Sequence, residues 1–183
     1  ASSIIGLHMD VEALRSIGLS IATDALHLSP YSRDLWPRDT LKMYKEGVLP
    51  ELPHAVVWPE RPEQVEAIID WATKEGVTIV PFGAGSGVCG GVRGRAGSLV
   101  VDLKRMNRIL GINPHNRTVQ VQSGLLGQHL EDQLEQTGWM TAHSPSSIAC
   151  STTGGYVAAR SAGQFSSRYG VFDDILLAAS AVT

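Results

Sequence analysis

Val80-Pro81-Phe82-Gly83-Ala84-Gly85-Ser86-Gly87-Val88-Cys89-Gly90-Gly91 leaves an apolar run, Val77-Thr78-Ile79-Val80, and carries five glycines in nine residues. Glycine permits positive φ and close backbone approach, so successive N–H groups can converge on one concavity and hold an anion. A diphosphate suits such a cradle, and Ser86 adds a hydroxyl donor. Gly85, Gly87 and Gly90 also satisfy the dinucleotide fingerprint G-x-G-x-x-G. That fingerprint works when its glycines open a helix whose N-terminus meets the pyrophosphate. Here Val92-Arg93-Gly94-Arg95-Ala96-Gly97 follows, too glycine-rich for a useful helix, and then a strand. A nicotinamide-type site is disfavoured, and the lack of a following Gly-Lys-Ser/Thr excludes a P-loop. A flexible surface loop would explain the glycines. It would not explain apolar Val88 and Cys89 inside the loop, or the strand directly before it.

Upstream, Ala55-Val56-Val57-Trp58 reads as a strand closed by Pro59. Pro62 suits a first helical turn, with Glu63 and Glu66 near the positive end of the helix dipole. Val65, Ile68, Ile69 and Ala72 recur at helical spacing, and Gly76 ends the helix. Strand, helix and strand predict a βαβ unit with Ala55–Trp58 and Val77–Val80 parallel. Between Leu19 and Pro53, Pro30, Pro37 and Pro50 predict an irregular course. Before it, Asp10 is placed to cap a short helix that stops at Gly18.

Downstream, Ser98–Leu103 is a third strand, and Ile109–Asn113 with Thr118–Gln122 flank a turn signal, predicting an antiparallel hairpin. Leu126, Leu130 and Leu134 mark a helix ended by Gly138, and Tyr156–Arg160 reads as helical. Asp174–Thr183 reads as a strand. The apolar run Leu176–Val182 stops without a turn or cap, which predicts a fragment of a longer chain.

The chain has 183 residues, 43% hydrophobic and 18% charged, with a net charge of −3. That is enough for one domain with a core, or two small lobes, and gives no electrostatic case for nucleic acid or an anionic membrane surface. The densest basic stretch, Arg93, Arg95, Lys104, Arg105 and Arg108, reads as a solvated edge. No apolar run approaches the roughly 20 residues that cross a bilayer, and the N-terminus lacks the pattern of a secretion signal. Cys89 and Cys150 make neither a disulfide framework nor a metal pattern, so no metal is expected and a cytoplasmic setting is the default.

A second small-residue loop, His143-Ser144-Pro145-Ser146-Ser147-Ile148-Ala149-Cys150-Ser151-Thr152-Thr153-Gly154-Gly155, precedes Tyr156-Val157-Ala158-Ala159-Arg160-Ser161-Ala162-Gly163 and Arg168-Tyr169-Gly170. It offers many donors and little bulk, suiting a flat ring or a phosphate. Alone it could equally be the serine-rich lead-in to a helix cap.

In order, P-x-G-x-G-S/T-x-x-x-G-G after a strand, P-S-S-x-x-x-S-T-x-G-G, Arg-Ser-Ala-Gly and Tyr-Gly resemble the FAD-linked oxidases of the vanillyl-alcohol oxidase fold. Glycolate oxidase and D-lactate dehydrogenase flavoproteins and alkyldihydroxyacetonephosphate synthase are the members most similar. The resemblance runs from about Leu52 to Thr183. It implies an α+β, two-lobed FAD-binding domain over 52–183 behind an N-terminal segment, 1–51. A small lobe, about 52–104, would hold the βαβ unit, and a larger, mostly antiparallel lobe, about 105–183, would be truncated, with the C-terminal cap absent. Members bind FAD between their lobes and place a small-molecule substrate under that cap.

Carried over by position, Pro81, Phe82, Gly83, Ala84, Gly85, Ser86 and Gly87 would wrap the pyrophosphate. Ser146, Ser147, Ile148, Ala149, Cys150, Ser151 and Thr152 would line the flavin and ribityl side, with Gly154 and Gly155 giving close approach. Ala159, Arg160, Ser161 and Ala162 would complete the contact. Some relatives tether flavin through a histidine where Ser86 stands, so a non-covalent FAD is expected. Cys150 lies near the linking cysteine of bicovalent relatives, but a small buried residue is the plainer reading.

The resemblance implies hydride removal from a small 2-hydroxy acid, with flavin as acceptor and catalytic residues outside these 183. Two alternatives stay open: a synthase-like group exchange without net oxidation, and a relative that has lost flavin. A homo-oligomer is also open. His143, beside the second loop, could approach the flavin but as a loop histidine reads as solvated. Arg160 reads as an ion pair or a pyrophosphate partner, and Asp173 and Asp174 as a cap in preference to a catalytic pair. Trp36, Trp58, Trp71 and Trp139 read as core or lobe-packing residues.

Overall fold

The computed structural model describes residues 11–183, so Asp10 lies outside the described residues. The elements follow the order α1 (Glu12–Ser16), β1 (Ser20–Ala22), α2 (Ala25–Leu28), α3 (Pro37–Glu46), β2 (Ala55–Trp58), α4 (Pro62–Glu75), β3 (Thr78–Phe82) and β4 (Ser98–Asp102). They continue with β5 (Ile109–Asn113), β6 (Thr118–Val121), α5 (Gly127–Glu135), α6 (Thr153–Ala159), α7 (Ser166–Tyr169) and α8 (Phe172–Ile175). Two compact units divide the chain. One holds the described residues to Pro81, Gly87–Val101 and Val182–Thr183; the other holds Phe82–Ser86 and Asp102–Ala181.

In the first unit a four-stranded sheet runs β1-β2-β4-β3. β2 pairs parallel with β4, Val56 opposite Val100, and β1 runs antiparallel on its far side, Ile21 opposite Val57. The β2 and β4 core residues Ala55, Val56, Val57, Leu99 and Val100 are fully buried, which is why both strands read as continuous apolar runs. Burying each of the larger side chains contributes about 1.5–3 kcal/mol. Ile68 and Ala72 on α4 join this core. Pro62 opens α4, and Gly76, at φ 66°, closes it.

β2, α4 and β3 follow one another as the predicted unit requires and both strands join one sheet, but they are not neighbours, because β4 lies between them. Every residue of β4 is buried, whereas β3 is partly exposed along most of its length. A strand buried throughout needs a partner on each edge. β3 contains Pro81, which cannot donate to a ladder and suits the outer position.

The stretch from Leu19 to Pro53 is more regular than its prolines suggested. Pro37 sits in the first turn of α3, where proline is tolerated, and Gly47 ends that helix at φ 64°. Asp24 caps α2 by accepting from the His27 N–H at 3.2 Å. β1 is three residues long, too short to show a period.

In the second unit β5 and β6 form the expected hairpin, with Asn113 Oδ1 accepting from Asn116 N in the turn. Leu125, Leu130 and Leu134 pack against Ile109, Val119 and Val121, binding α5 to the hairpin. The strand expected over Asp174–Thr183 is not formed. α8 takes Phe172–Ile175, and residues 176–183 belong to no regular element. A strand needs a neighbour, and no described strand pairs with these residues. No helix among the described residues is long and apolar enough to cross a membrane.

Candidate functional site

β3 delivers Phe82 to the start of the glycine loop, and its ring, 5% exposed, becomes the floor of the turn. Gly85 folds over that ring at φ +71°, and a Cβ there would lie 2.6 Å from the ring tip. Only glycine satisfies both conditions. Gly83 faces the second loop: its missing Cβ would overlap Thr152 Oγ1 and sit 3.6 Å from Thr152 Cβ. The two segments singled out in the sequence therefore meet, within one unit.

Among the described residues no group accepts a hydrogen bond from the backbone N–H of Gly83, Ala84, Gly85, Ser86 or Gly87. Backbone donors left unpaired by the fold belong to water or a ligand. Beneath the loop, Lys104 Nζ lies 2.8 Å from Gly83 O, 2.7 Å from Asp102 Oδ2 and 4.9 Å from the Phe82 ring centroid. Asp102 is 1% exposed.

The back half of the loop belongs to the first unit. Gly87 O accepts from Leu35 N at 2.8 Å, and Gly90 N donates to Asp34 Oδ2 at 2.7 Å. Asp34 Oδ1 also accepts from Trp36 N, so this buried carboxylate ties the loop to the N-terminal segment. Arg93 reaches buried Asp39, with Nη1 2.8 Å from Oδ1. Arg93 and Lys104 are thus ion-paired in the fold, not members of a solvated edge. Val88 and Cys89 are exposed, so the apolar character of this part of the loop carries no packing meaning. Sequence reasoning missed Asp34, Asp39 and Lys104; no local spacing ties the two aspartates to a loop more than fifty residues away.

In the second loop, Ile148–Cys150 form a 3₁₀ turn closed by Cys150 N donating to Ser147 O. The Ser151 hydroxyl donates to the same carbonyl at 2.7 Å and lies 3.0 Å from the Tyr156 hydroxyl. Thr152 caps α6 by accepting from Gly155 N at 3.2 Å. The N–H groups of Ser146, Ser147 and Thr152 have no acceptor among the described residues. Gly154 donates to Ser123 O at 2.8 Å, and its missing Cβ would lie 2.8 Å from Ser123 Cβ. Cys150 is exposed, contrary to the expectation of a small buried residue.

α6 ends at Arg160 in the left-handed region, φ 49°, with its guanidinium Nε 2.5 Å from Asp173 Oδ2. Asp174 Oδ2 accepts from Val171 N, the cap expected of it. Ala159 and Ala162 flank this turn. The tryptophans are less central than expected: Trp36, Trp58 and Trp71 are half-buried, and Trp139 is exposed.

His143 corrects another expectation. It is 4% exposed and edge-on to Tyr156 and Phe172, with Nε2 3.1 Å from Ser161 Oγ. Burial pushes its pKa below the ordinary value, the Glu131 carboxylate opposing weakly. Burial also raises the Tyr156 phenol, against the Ser151 hydrogen bond. A depressed histidine pKa means the unfolded chain binds the proton more readily. The stability it contributes is therefore complete at neutral pH and is lost as pH falls through the unfolded value, about 6.5. Urea unfolding of His143→Gln between pH 7.5 and 5 is expected to show a shallower loss than wild type. Parallel curves would dismiss the role.

A family model described as FAD binding domain matches residues 53–183. The chain belongs to this FAD-binding family. An alkyldihydroxyacetonephosphate synthase from Trypanosoma brucei brucei is 33% identical over 94% of this chain and 29% of its own length. The glycolate oxidase subunit GlcD of Bacillus subtilis is 34% identical over 69% of this chain and 27% of its own. A solved structure of an alkyldihydroxyacetonephosphate synthase superposes with a TM-score of 0.82 at 30% identity, covering 90% of this chain and 30% of that one. The chain spans less than a third of the length of these relatives. FAD is the family's cofactor, and the site suits it: a run of unpaired N–H donors meets a second donor-rich loop through a contact that admits no Cβ.

Proposed function

We propose that this chain is the FAD-binding part of a flavoenzyme of the alkyldihydroxyacetonephosphate synthase type. The choice within the family is supported by the 33% identity over 94% of the chain and by the TM-score of 0.82 to a solved alkyldihydroxyacetonephosphate synthase. A match of that length must include part of the segment before residue 53, where the family model begins, as does a 29% match over 91% of the chain to a D-2-hydroxyglutarate dehydrogenase. That segment is structurally engaged, since Asp34 and Leu35 fix the back half of the glycine loop. Pro81 to Gly87 and Ser146 to Thr152 would hold the diphosphate and the flavin through backbone N–H groups, with Ala159 to Ala162 next to them. With serine at position 86, the flavin would be held without a covalent link. When bound, FAD supplies the redox-active ring; these residues position it and shield it from water.

Oxidation of a small 2-hydroxy acid is the second reading, favoured by the 34% identity to the glycolate oxidase subunit. The full-length protein carrying FAD separates them. Formation of alkyldihydroxyacetone phosphate without 2-hydroxy-acid-dependent dye reduction is the expected result. Dye reduction with a 2-hydroxy acid and no ether product would reverse the order.

A further inference from the structure

We infer that Lys104 is a positioning residue for the FAD diphosphate, acting through one peptide bond of the glycine loop. The proposal rests on the assignment of that loop to FAD. In a trans peptide the C=O and N–H point in opposite directions. Lys104 Nζ draws the Gly83 carbonyl inward at 2.8 Å, so the Ala84 N–H of the same peptide is turned outward. That N–H has no acceptor among the described residues.

Lys104 is itself fixed. Its ammonium pairs at 2.7 Å with Asp102, whose carboxylate is 1% exposed and also accepts from Lys104 N at 2.9 Å. It further lies over the Phe82 ring, on which Gly85 folds. One cation thus sets the direction of the first peptide of the cradle and braces the floor beneath it. Because Asp102 offsets its charge, the main effect is orientation and not long-range attraction.

The test is FAD binding to the full-length apoprotein, read by flavin fluorescence, alongside its thermal unfolding. Lys104→Arg keeps the charge against Asp102, but the planar guanidinium fork cannot reproduce a point ammonium bonded to carbonyl and carboxylate at once. It is expected to weaken FAD about fivefold or more with little change in melting temperature. The double variant Asp102→Asn/Lys104→Met leaves no buried charge unpaired and is expected to weaken FAD about tenfold to a hundredfold, the worth of a charged hydrogen bond. ADP, used as a diphosphate probe, should lose affinity in step with FAD in both. FAD and ADP affinities within twofold of wild type in Lys104→Arg would overturn the proposal, as would a loss of FAD affinity with ADP unchanged. Gly83→Ala serves as the control for the loop itself. If it loses FAD while the Lys104 variants do not, the loop assignment stands and the lysine's role falls. If it binds FAD normally, the loop assignment has failed.

Discussion

Gly83→Ala is expected to lower FAD affinity at least tenfold, and Thr152→Ala introduced beside it is expected to restore part of the loss. The added Cβ would overlap Thr152 Oγ1, the atom that caps α6 by accepting from Gly155 N. Either the glycine loop lifts away or the cap is broken. Both separate the unpaired N–H groups of Gly83–Ser86 from those of Ser146 and Ser147. Thr152→Ala removes the overlapping oxygen and, as an N-cap loss, costs about 0.5–2 kcal/mol of stability. Neighbours that collide couple in a double-mutant cycle by about 0.5–3 kcal/mol, whereas distant sites add. FAD titrations of the wild type, both single variants and the double variant close the cycle. A double variant whose loss equals the sum of the single losses would mean that the two loops do not share the site.

The parts of this site that were legible in the sequence are those set by local chemistry. Glycine at 83 and 85, the strand before them and the serine-rich approach to Thr152 announced themselves through composition and spacing. β2 and α4 were equally readable, because a continuous apolar run and a 3.6-residue period each have one good interpretation. What escaped depends on contacts between residues far apart in sequence. Asp34 and Gly90 are separated by 56 positions, and Lys104 and Gly83 by 21. The insertion of β4 between β2 and β3 depends on which strand is buried on both faces, and a short apolar run does not display that. His143 shows the opposite error. A histidine in a loop is ordinarily wet, yet Tyr156 and Phe172 close over this one because α6 and α8 follow it. The terminal run Leu176–Val182 has strand composition but no described partner, and composition alone does not form a sheet.

Gly124→Ala carries the largest stability effect expected in the chain. Gly124 lies between β6 and α5, with its N–H donating to Met106 O at 2.8 Å. A Cβ there would overlap the Leu103 carbonyl oxygen and come within 2.8 Å of Lys104 Cα. These are backbone atoms, so no rotamer change relieves the clash, and the chain must move where Leu103–Arg105 make a 3₁₀ turn against Met106. Overpacking a fixed site costs about 1–3 kcal/mol and sometimes more; with backbone on both sides, about 3 kcal/mol or above is expected. Gly111, on β5, is the internal control: a Cβ there meets nothing within 4 Å, and Gly111→Ala should stay within about 0.5 kcal/mol of wild type. Urea unfolding of the two variants decides the matter, since a lower midpoint at constant slope reports lost stability. Equal midpoints would show that the Gly124–Leu103 contact is not as close as described. A loss confined to Gly124→Ala would also predict weakened FAD binding in the fraction that folds, because the displaced turn is the one that carries Lys104 beneath Gly83.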